Sequence, residues 1–305
     1  MGKYDNARGL IFNIVHGSFV DGWGIRTTIF LKGCPLRCIW CCNPEGQRLA
    51  PEMKVTYEDC DGCGDCVSTC PEKALSVKNG IIHLDRTACA LCGKCFSACP
   101  TDALGIFGRW YTVEEMFDII VKDKPFYDAS GGGLTIGGGE ASLYPEFCLG
   151  LIEKCREAGI SAAIDTCGFT VSKAGFEALA AADFLLFDIK GMDETAHIRN
   201  TGVSNRPIHE NLRRLDAQGQ QFIIRYPAIP GYNDSDEELR NAARFLRDIK
   251  GVRRVDVIPV HRYGENKYRQ LDMPYELSAD PIPDDRQEEI RSIFASCGLE
   301  TQLGG

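Results

Sequence analysis

Cys34, Cys38 and Cys41 stand in a C-x3-C-x2-C spacing on a loop just after the apolar run Thr27 to Leu31. Three thiolates this close can hold three irons of a [4Fe–4S] cube and leave the fourth iron open. An open iron takes an exchangeable ligand, so such a site does chemistry as well as carrying electrons. A structural zinc site would need four protein ligands, and no fourth stands at zinc spacing. Cys42 leaves a C-x3-C-x3-C reading open; Cys41 is chosen because the other spacing does not belong to a known cluster.

Downstream, Cys60, Cys63, Cys66 and Cys70-Pro71 form C-x2-C-x2-C-x3-C-P, and Cys89, Cys92, Cys95 and Cys99-Pro100 repeat it 29 residues later. Identical internal spacing in both copies signals a duplication. This is the bacterial ferredoxin run, in which the fourth cysteine of each copy ligates the other cluster. The expected sets are therefore Cys60, Cys63, Cys66 and Cys99 for one [4Fe–4S] cluster, and Cys89, Cys92, Cys95 and Cys70 for the other. A zinc ribbon would not need the third cysteine of each copy. The region has too few apolar residues for a sizeable core, so metal binding must supply much of its folding energy.

The rest of the chain must position these groups. With 305 residues there is room for one large α/β domain and a small insert. Apolar runs at Thr27–Leu31, Leu134–Ile136, Ala162–Ile164, Phe184–Phe187, Phe222–Ile224 and Val255–Ile258 alternate with helical stretches. The expected helices cover 112–122, 145–158, 171–181, 208–217, 236–249 and 284–296. About six βα units result, enough for an incomplete barrel, although a doubly wound sheet fits the same pattern. Residues 8 to 26 read as a lead-in. The expected domains are 1–51 with 105–305 for the α/β barrel, and 52–104 for the insert with two clusters.

Composition narrows the partners. The balance of 34 basic and 43 acidic residues gives −9, which argues against a nucleic-acid backbone. No run approaches the roughly 18 apolar residues of a membrane span. The start, Met-Gly-Lys-Tyr-Asp-Asn, has no signal core, so a cytoplasmic location is expected. Eleven of the sixteen cysteines fall in the three groups, as a reducing compartment favours for metal over disulfides. Cys148, Cys155, Cys167 and Cys297 read as core.

Polar residues follow the strands. Gly137-Gly138-Gly139-Glu140, Asp165-Thr166, Asp188-Ile189-Lys190, Arg225 and His261 each stand at a strand's carboxyl end or shortly after it, where parallel α/β architectures place their sites.

These motifs, with Cys34 to Cys41, Trp40 and the Thr201-Gly202-Val203-Ser204-Asn205 run, appear in the order found in radical S-adenosylmethionine (SAM) enzymes. Over nearly the whole chain the sequence resembles the glycyl radical enzyme activating enzymes of ferredoxin-insert type. It looks most like activases of choline trimethylamine-lyase and isethionate sulfite-lyase. The resemblance implies a partial (β/α)6 barrel. Cys34, Cys38 and Cys41 would be the catalytic cluster ligands, and Trp40, Cys41 and Cys42 would line the SAM pocket. Gly139 would offer backbone to the methionine amino group, and Asp188, Ile189, Lys190, Arg225 and His261 would meet the carboxylate and ribose. A monovalent-cation site would involve Asp165, Thr166 and Asp188. Two departures stand out: Trp23 replaces the family's proline in Asp-Gly-Pro-Gly, and Cys42 stands where relatives have His, Ser or Ala.

The implied activity is anaerobic and reductive. SAM would be cleaved to a 5′-deoxyadenosyl radical that takes hydrogen from a glycine Cα of a separate lyase for choline, isethionate or a diol. Three [4Fe–4S] clusters, a monomer and an external flavodoxin or ferredoxin donor are expected, and the insert clusters would relay electrons or store a second one. Two other classes remain: a radical SAM enzyme acting on a small molecule, and a ferredoxin-type electron carrier. The carrier leaves a three-cysteine cluster unexplained.

Overall fold

All six apolar runs form parallel strands, and they lie side by side in chain order. The computed structural model describes residues 3, 4 and 6–304. The chain opens with β1 (Arg8–Ser18) and β2 (Arg26–Leu31). The insert contributes β3 (Glu52–Val55), β4 (Leu75–Lys78), β5 (Ile81–Leu84) and β6 (Leu104–Phe107), and β7 (Arg109–Thr112) returns to the main sheet. Then follow β8 (Gly133–Gly138), β9 (Ser161–Thr166), β10 (Phe184–Asp188), β11 (Phe222–Ala228), β12 (Val252–Pro259) and β13 (Thr301–Leu303).

The main sheet runs β13-β12-β11-β10-β9-β8-β2-β1-β7. Every pair from β2 to β13 is parallel. A doubly wound sheet reverses its order at a switch point; this one never does, so it is a singly wound, open barrel. The segment 8–18 is a strand and not a lead-in. It pairs antiparallel with β2 and β7, and two register shifts along it break the alternation that would have announced it.

The helices expected from periodicity form at Val113–Ile120, Pro145–Glu157, Lys173–Ala180, Arg206–Asp216, Asp236–Arg247 and Asp284–Ser296. Their starts are chemically set. Thr112 and Glu115 form a reciprocal capping box, and Ser172 and Ser235 each accept a backbone N–H from the first turn. Three further helices, Lys124–Ser130, Glu194–Thr201 and Glu265–Gln270, lie in stretches without a clear apolar stripe.

Alternation along the strands sorts two cores. Ile164, Leu185, Phe187, Phe222 and Ile224 face the helices in the large core, whereas Ala163, Phe184, Leu186 and Ile223 face inward as a small separate cluster. The period of two then aims Asp165, Asp188 and Arg225 inward as well, one step nearer the carboxyl ends. Trp23 closes the opposite end of the barrel. Its ring lies 4.3 Å from that of Phe184, and its carbonyl accepts from the buried Arg26 guanidinium at 3.1 Å.

His209, on the helix Arg206–Asp216, packs 4.8 Å from the Phe245 ring. Burial, with His197 and Arg213 nearby, lowers its pKa to about 4. The folded state holds it neutral while the unfolded chain binds a proton below its ordinary value, so stability falls as pH drops from 6.5 towards 4. Linkage sets a ceiling of about 3 kcal/mol on this loss, reduced by the ring's partial contact with water. His209→Gln should flatten acid unfolding measured by circular dichroism over that window; an unchanged pH profile would remove the histidine from the account.

The insert repeats its backbone as well as its cysteines. Gly62, Gly64 and Lys73 have positive φ, and so do Leu91, Gly93 and Asp102, each displaced by the same 29 residues. Gly64 and Gly93 start the two short helices Asp65–Thr69 and Lys94–Ala98. Met53, Val55, Cys66, Leu75, Ile82, Cys95 and Leu104 form the small buried cluster between the halves. β3 and β6 pair antiparallel in a two-stranded sheet of their own.

Candidate active site

The loop after β2 carries Cys34, Cys38 and Cys41 and is held on two sides. Towards β8, the Gly33 carbonyl accepts the Glu140 N–H at 2.7 Å, and the Gly33 N–H donates to Gly46 O at 2.8 Å. Towards the helix Glu194–Thr201, the Arg37 and Ile39 N–H groups donate to Thr201 O and Asn200 O at 2.7 and 3.0 Å. Burial pushes the free Cys38 thiol up to about 12 and that of Cys41 higher still. Among the described residues no three His, Cys, Asp or Glu side chains converge as for a single metal ion.

Beneath the loop lies a layer of charge. Arg225 donates to Asp165 at 2.9 Å and to Asp21 at 3.0 Å. Burial pushes the Asp165 carboxyl up to about 7 against the pull of Arg225. Burial also works against Asp21, but Arg225, Ser18 and Thr28 outweigh it and hold its pKa low. Lys190 pairs with Asp188 at 2.6 Å; burial opposes its charge, yet Asp188 and Cys38 keep it protonated. Thr166 turns its hydroxyl to Glu140 at 2.8 Å. The three expected cation ligands, Asp165, Thr166 and Asp188, therefore face three different partners.

The chemistry of the unpaired groups fits a polar cofactor. Of six buried side-chain polar atoms without a partner among the described residues, three are Trp40 Nε1, Arg225 Nε and His261 Nδ1. All three residues are ones that the sequence assigned to the SAM pocket. Trp40 packs edge-on to Tyr232 at 6.2 Å, and His261 stacks on Tyr263 at 4.6 Å. Gly139 gives its N–H to Leu31 O at 2.6 Å, which leaves its carbonyl as the group able to receive an ammonium. Ile189 is fully buried in the helix-facing core, so its side chain points away from the pocket and only its backbone faces it. Cys42 is exposed and packs its backbone against Gly264, where a Cβ would come within 2.9 Å of Cys42 Cα.

In the insert, one cavity is lined by Cys70, Cys89, Cys92 and Cys95 together with Met53. A second is lined by Cys60, Cys63, Cys66 and Cys99. These are the two crossed sets that the repeated spacing implied. Met53 Sδ lies 3.7 Å from Cys89 Sγ.

Sequence reasoning placed Glu140 at a strand end without giving it a role, and took Cys167 for core. Glu140 is fully buried and accepts from the N–H groups of Ser142 and Cys167 at 3.0 and 2.9 Å. Cys148 and Cys155 are core as expected, but Cys167 donates its thiol to Glu140 at 2.8 Å. Its placement directly after Asp165-Thr166 at a strand end was the available signal.

The chain is 39% identical over 292 residues to the choline trimethylamine-lyase activating enzyme of Oleidesulfovibrio alaskensis, covering 92% of this chain and 93% of that one. It belongs to the glycyl radical enzyme activating enzymes. This activating enzyme is equally similar, at 39% over 300 residues, to the trans-4-hydroxy-L-proline dehydratase activating enzyme of Clostridioides difficile, with 97% and 99% of the two chains covered. The radical SAM superfamily model matches residues 88–244, and the 4Fe-4S dicluster domain model matches 59–103. In fold, the enzyme aligns with Streptococcus suis SuiB bound to its precursor peptide SuiA, at a TM-score of 0.52 and 14% identity, covering 89% of this chain and 46% of that one.

Proposed function

We propose that this enzyme activates a partner glycyl radical enzyme under anaerobic conditions by removing one hydrogen from a glycine Cα of the partner. The observation that carries the reading is the Cys34, Cys38 and Cys41 loop, seated over the inward-facing charges of Asp165, Asp188, Lys190 and Arg225. Cys34, Cys38 and Cys41 would hold a [4Fe–4S] cluster, which together with bound SAM would supply the reducing electron and the radical chemistry that hydrogen removal needs.

The chain's own residues bind and orient. The Gly139 carbonyl accepts from the SAM ammonium, and the Lys190 ammonium, held in place by Asp188, faces the carboxylate. Arg225 offers its free Nε and His261 its free Nδ1 to polar groups of the cofactor. Trp40 and Tyr232 cover the pocket and exclude water. A monovalent cation at Asp165 would have to displace Arg225, which already neutralises that carboxylate.

Cys60, Cys63, Cys66 and Cys99 hold one insert cluster, and Cys70, Cys89, Cys92 and Cys95 the other. Their role is to accept electrons from an external low-potential donor such as flavodoxin or ferredoxin. The enzyme works as a monomer in the cytoplasm; among the described residues no helix is long and apolar enough to cross a membrane. The partner is a lyase or dehydratase for a small polar substrate, with choline, isethionate and diols as the first to test. Relatives named for two different partners stand at the same 39% identity, which supports the class and does not choose within it.

The test is anaerobic. Dithionite-reduced enzyme with SAM should release 5′-deoxyadenosine, and adding the right lyase should produce a glycyl radical doublet by EPR. 5′-Deoxyadenosine without a doublet on any of the candidate lyases would favour a small-molecule substrate. No 5′-deoxyadenosine at all would remove the radical reading.

A further inference from the structure

We propose that Cys167 is a positioning residue for the three-cysteine cluster, its thiol capping the buried Glu140 carboxylate beside the Cys34 loop and so setting the field at that cluster. The inference rests on the reading of Cys34 as a cluster ligand.

The geometry is local and tight. Cys167 follows β9 immediately, and its N–H and Sγ both reach Glu140 Oε2, at 2.9 and 2.8 Å. Glu140 is tied in turn to the cluster loop, its N–H donating at 2.7 Å to the carbonyl of Gly33, the residue before Cys34. Glu140 is fully buried, and among the described residues no cation pairs with it. Its partners are two backbone N–H groups, the Thr166 hydroxyl and the Cys167 thiol. A bare carboxylate so close to a cluster ligand would oppose an added electron, because like charges repel strongly where water is excluded.

The single S–H of Cys167 points at Glu140 and counters that charge. Donated to Glu140, it screens the carboxylate. That screening raises the cluster's potential towards the reach of a biological donor. A methyl group in its place removes the screening and leaves the carboxylate's charge exposed to the cluster.

The experiment is an EPR-monitored redox titration of the intact reconstituted enzyme, following the reduced signal that changes when SAM is added. In Cys167→Ala the reduced-to-oxidised ratio at the wild-type midpoint should fall on the order of tenfold, about 59 mV for one electron. Cys167→Ser keeps a donor and should stay close to wild type. Glu140→Gln removes the opposing charge and should move the midpoint upward; it decides the matter if the alanine variant fails to retain the cluster. Cys167→Ala at the wild-type potential, Cys167→Ser falling as far as alanine, or a downward or absent shift in Glu140→Gln would each overturn the inference. A wild-type enzyme with no SAM-responsive signal would overturn the cluster reading itself, and this inference with it.

Discussion

Cys34→Ala enzyme, reconstituted anaerobically, is expected to bind about eight irons per chain where the wild type binds about twelve, on the four-iron stoichiometry of each cube. It should release no 5′-deoxyadenosine from SAM. Cys34 is the ligand that the fold holds from both directions. Its N–H donates to Gln47 O at 3.1 Å, and the preceding Gly33 is bonded to both Glu140 and Gly46. Removing its sulfur leaves two thiols, Cys38 and Cys41, to hold a cube that needs three. Cys42 is the nearest substitute in sequence, but it is exposed and its backbone is packed against Gly264, so it cannot move to the vacant corner. The insert quartets lie around their own cavities and share no residue with this loop. Their eight irons should survive with an unchanged EPR signal. Iron analysis giving twelve in the variant would mean that Cys42 or Cys167 had replaced Cys34. An iron count of zero would mean that the three clusters do not assemble independently.

What could be read in advance followed from how local each signal is. The insert was legible because its ligand order is written in short, repeated spacings, and the crossed quartets need no knowledge of tertiary structure beyond the duplication. The six parallel strands were legible because strands buried on both faces read as continuous apolar runs. That same property hid their orientation. With apolar residues on both sides of Phe184 to Phe187, the sequence does not say which alternate set points inward, so the register that sets Asp188 opposite Arg225 and Asp165 opposite Leu186 emerges only from the fold. The pairing of Asp21 with Arg225 spans more than two hundred residues and has no local signature. Trp23 looked like a defect in a turn that relatives build with proline. In the fold its ring packs on Phe184 and its carbonyl caps Arg26, a role that requires knowing what lies under the barrel. Cys167 was taken for core on its size and neighbours, and burial alone agrees; its contact with Glu140 is what sets it apart from Cys148 and Cys155.

The tightest backbone approach in the site leads to the other large expected effect. A Cβ added at Gly139 would sit 2.0 Å from Gly33 O, 2.6 Å from Gly33 C and 2.8 Å from Gly46 O. All three are backbone atoms, so no side chain can rotate away to make room. The atoms met are those of the segment that carries the cluster cysteines, and it is anchored here by the Gly139 N–H to Leu31 O and the Glu140 N–H to Gly33 O. Gly139→Ala must therefore push residues 33–46 off β8. Overpacking of this kind costs about 1–3 kcal/mol or more, but the functional loss should exceed the loss of stability, because the displaced part is the ligand loop. The variant should show a lowered thermal midpoint, about eight irons in place of about twelve, and no SAM cleavage. Gly105→Ala is the matched control, since a Cβ there finds nothing nearer than 3.8 Å and should leave iron content and activity unchanged. If Gly139→Ala keeps all its iron and cleaves SAM at the wild-type rate, the contact between β8 and the cysteine loop is looser than these distances state, and the seat of the catalytic cluster must be sought in the helix side, at Asn200 and Thr201.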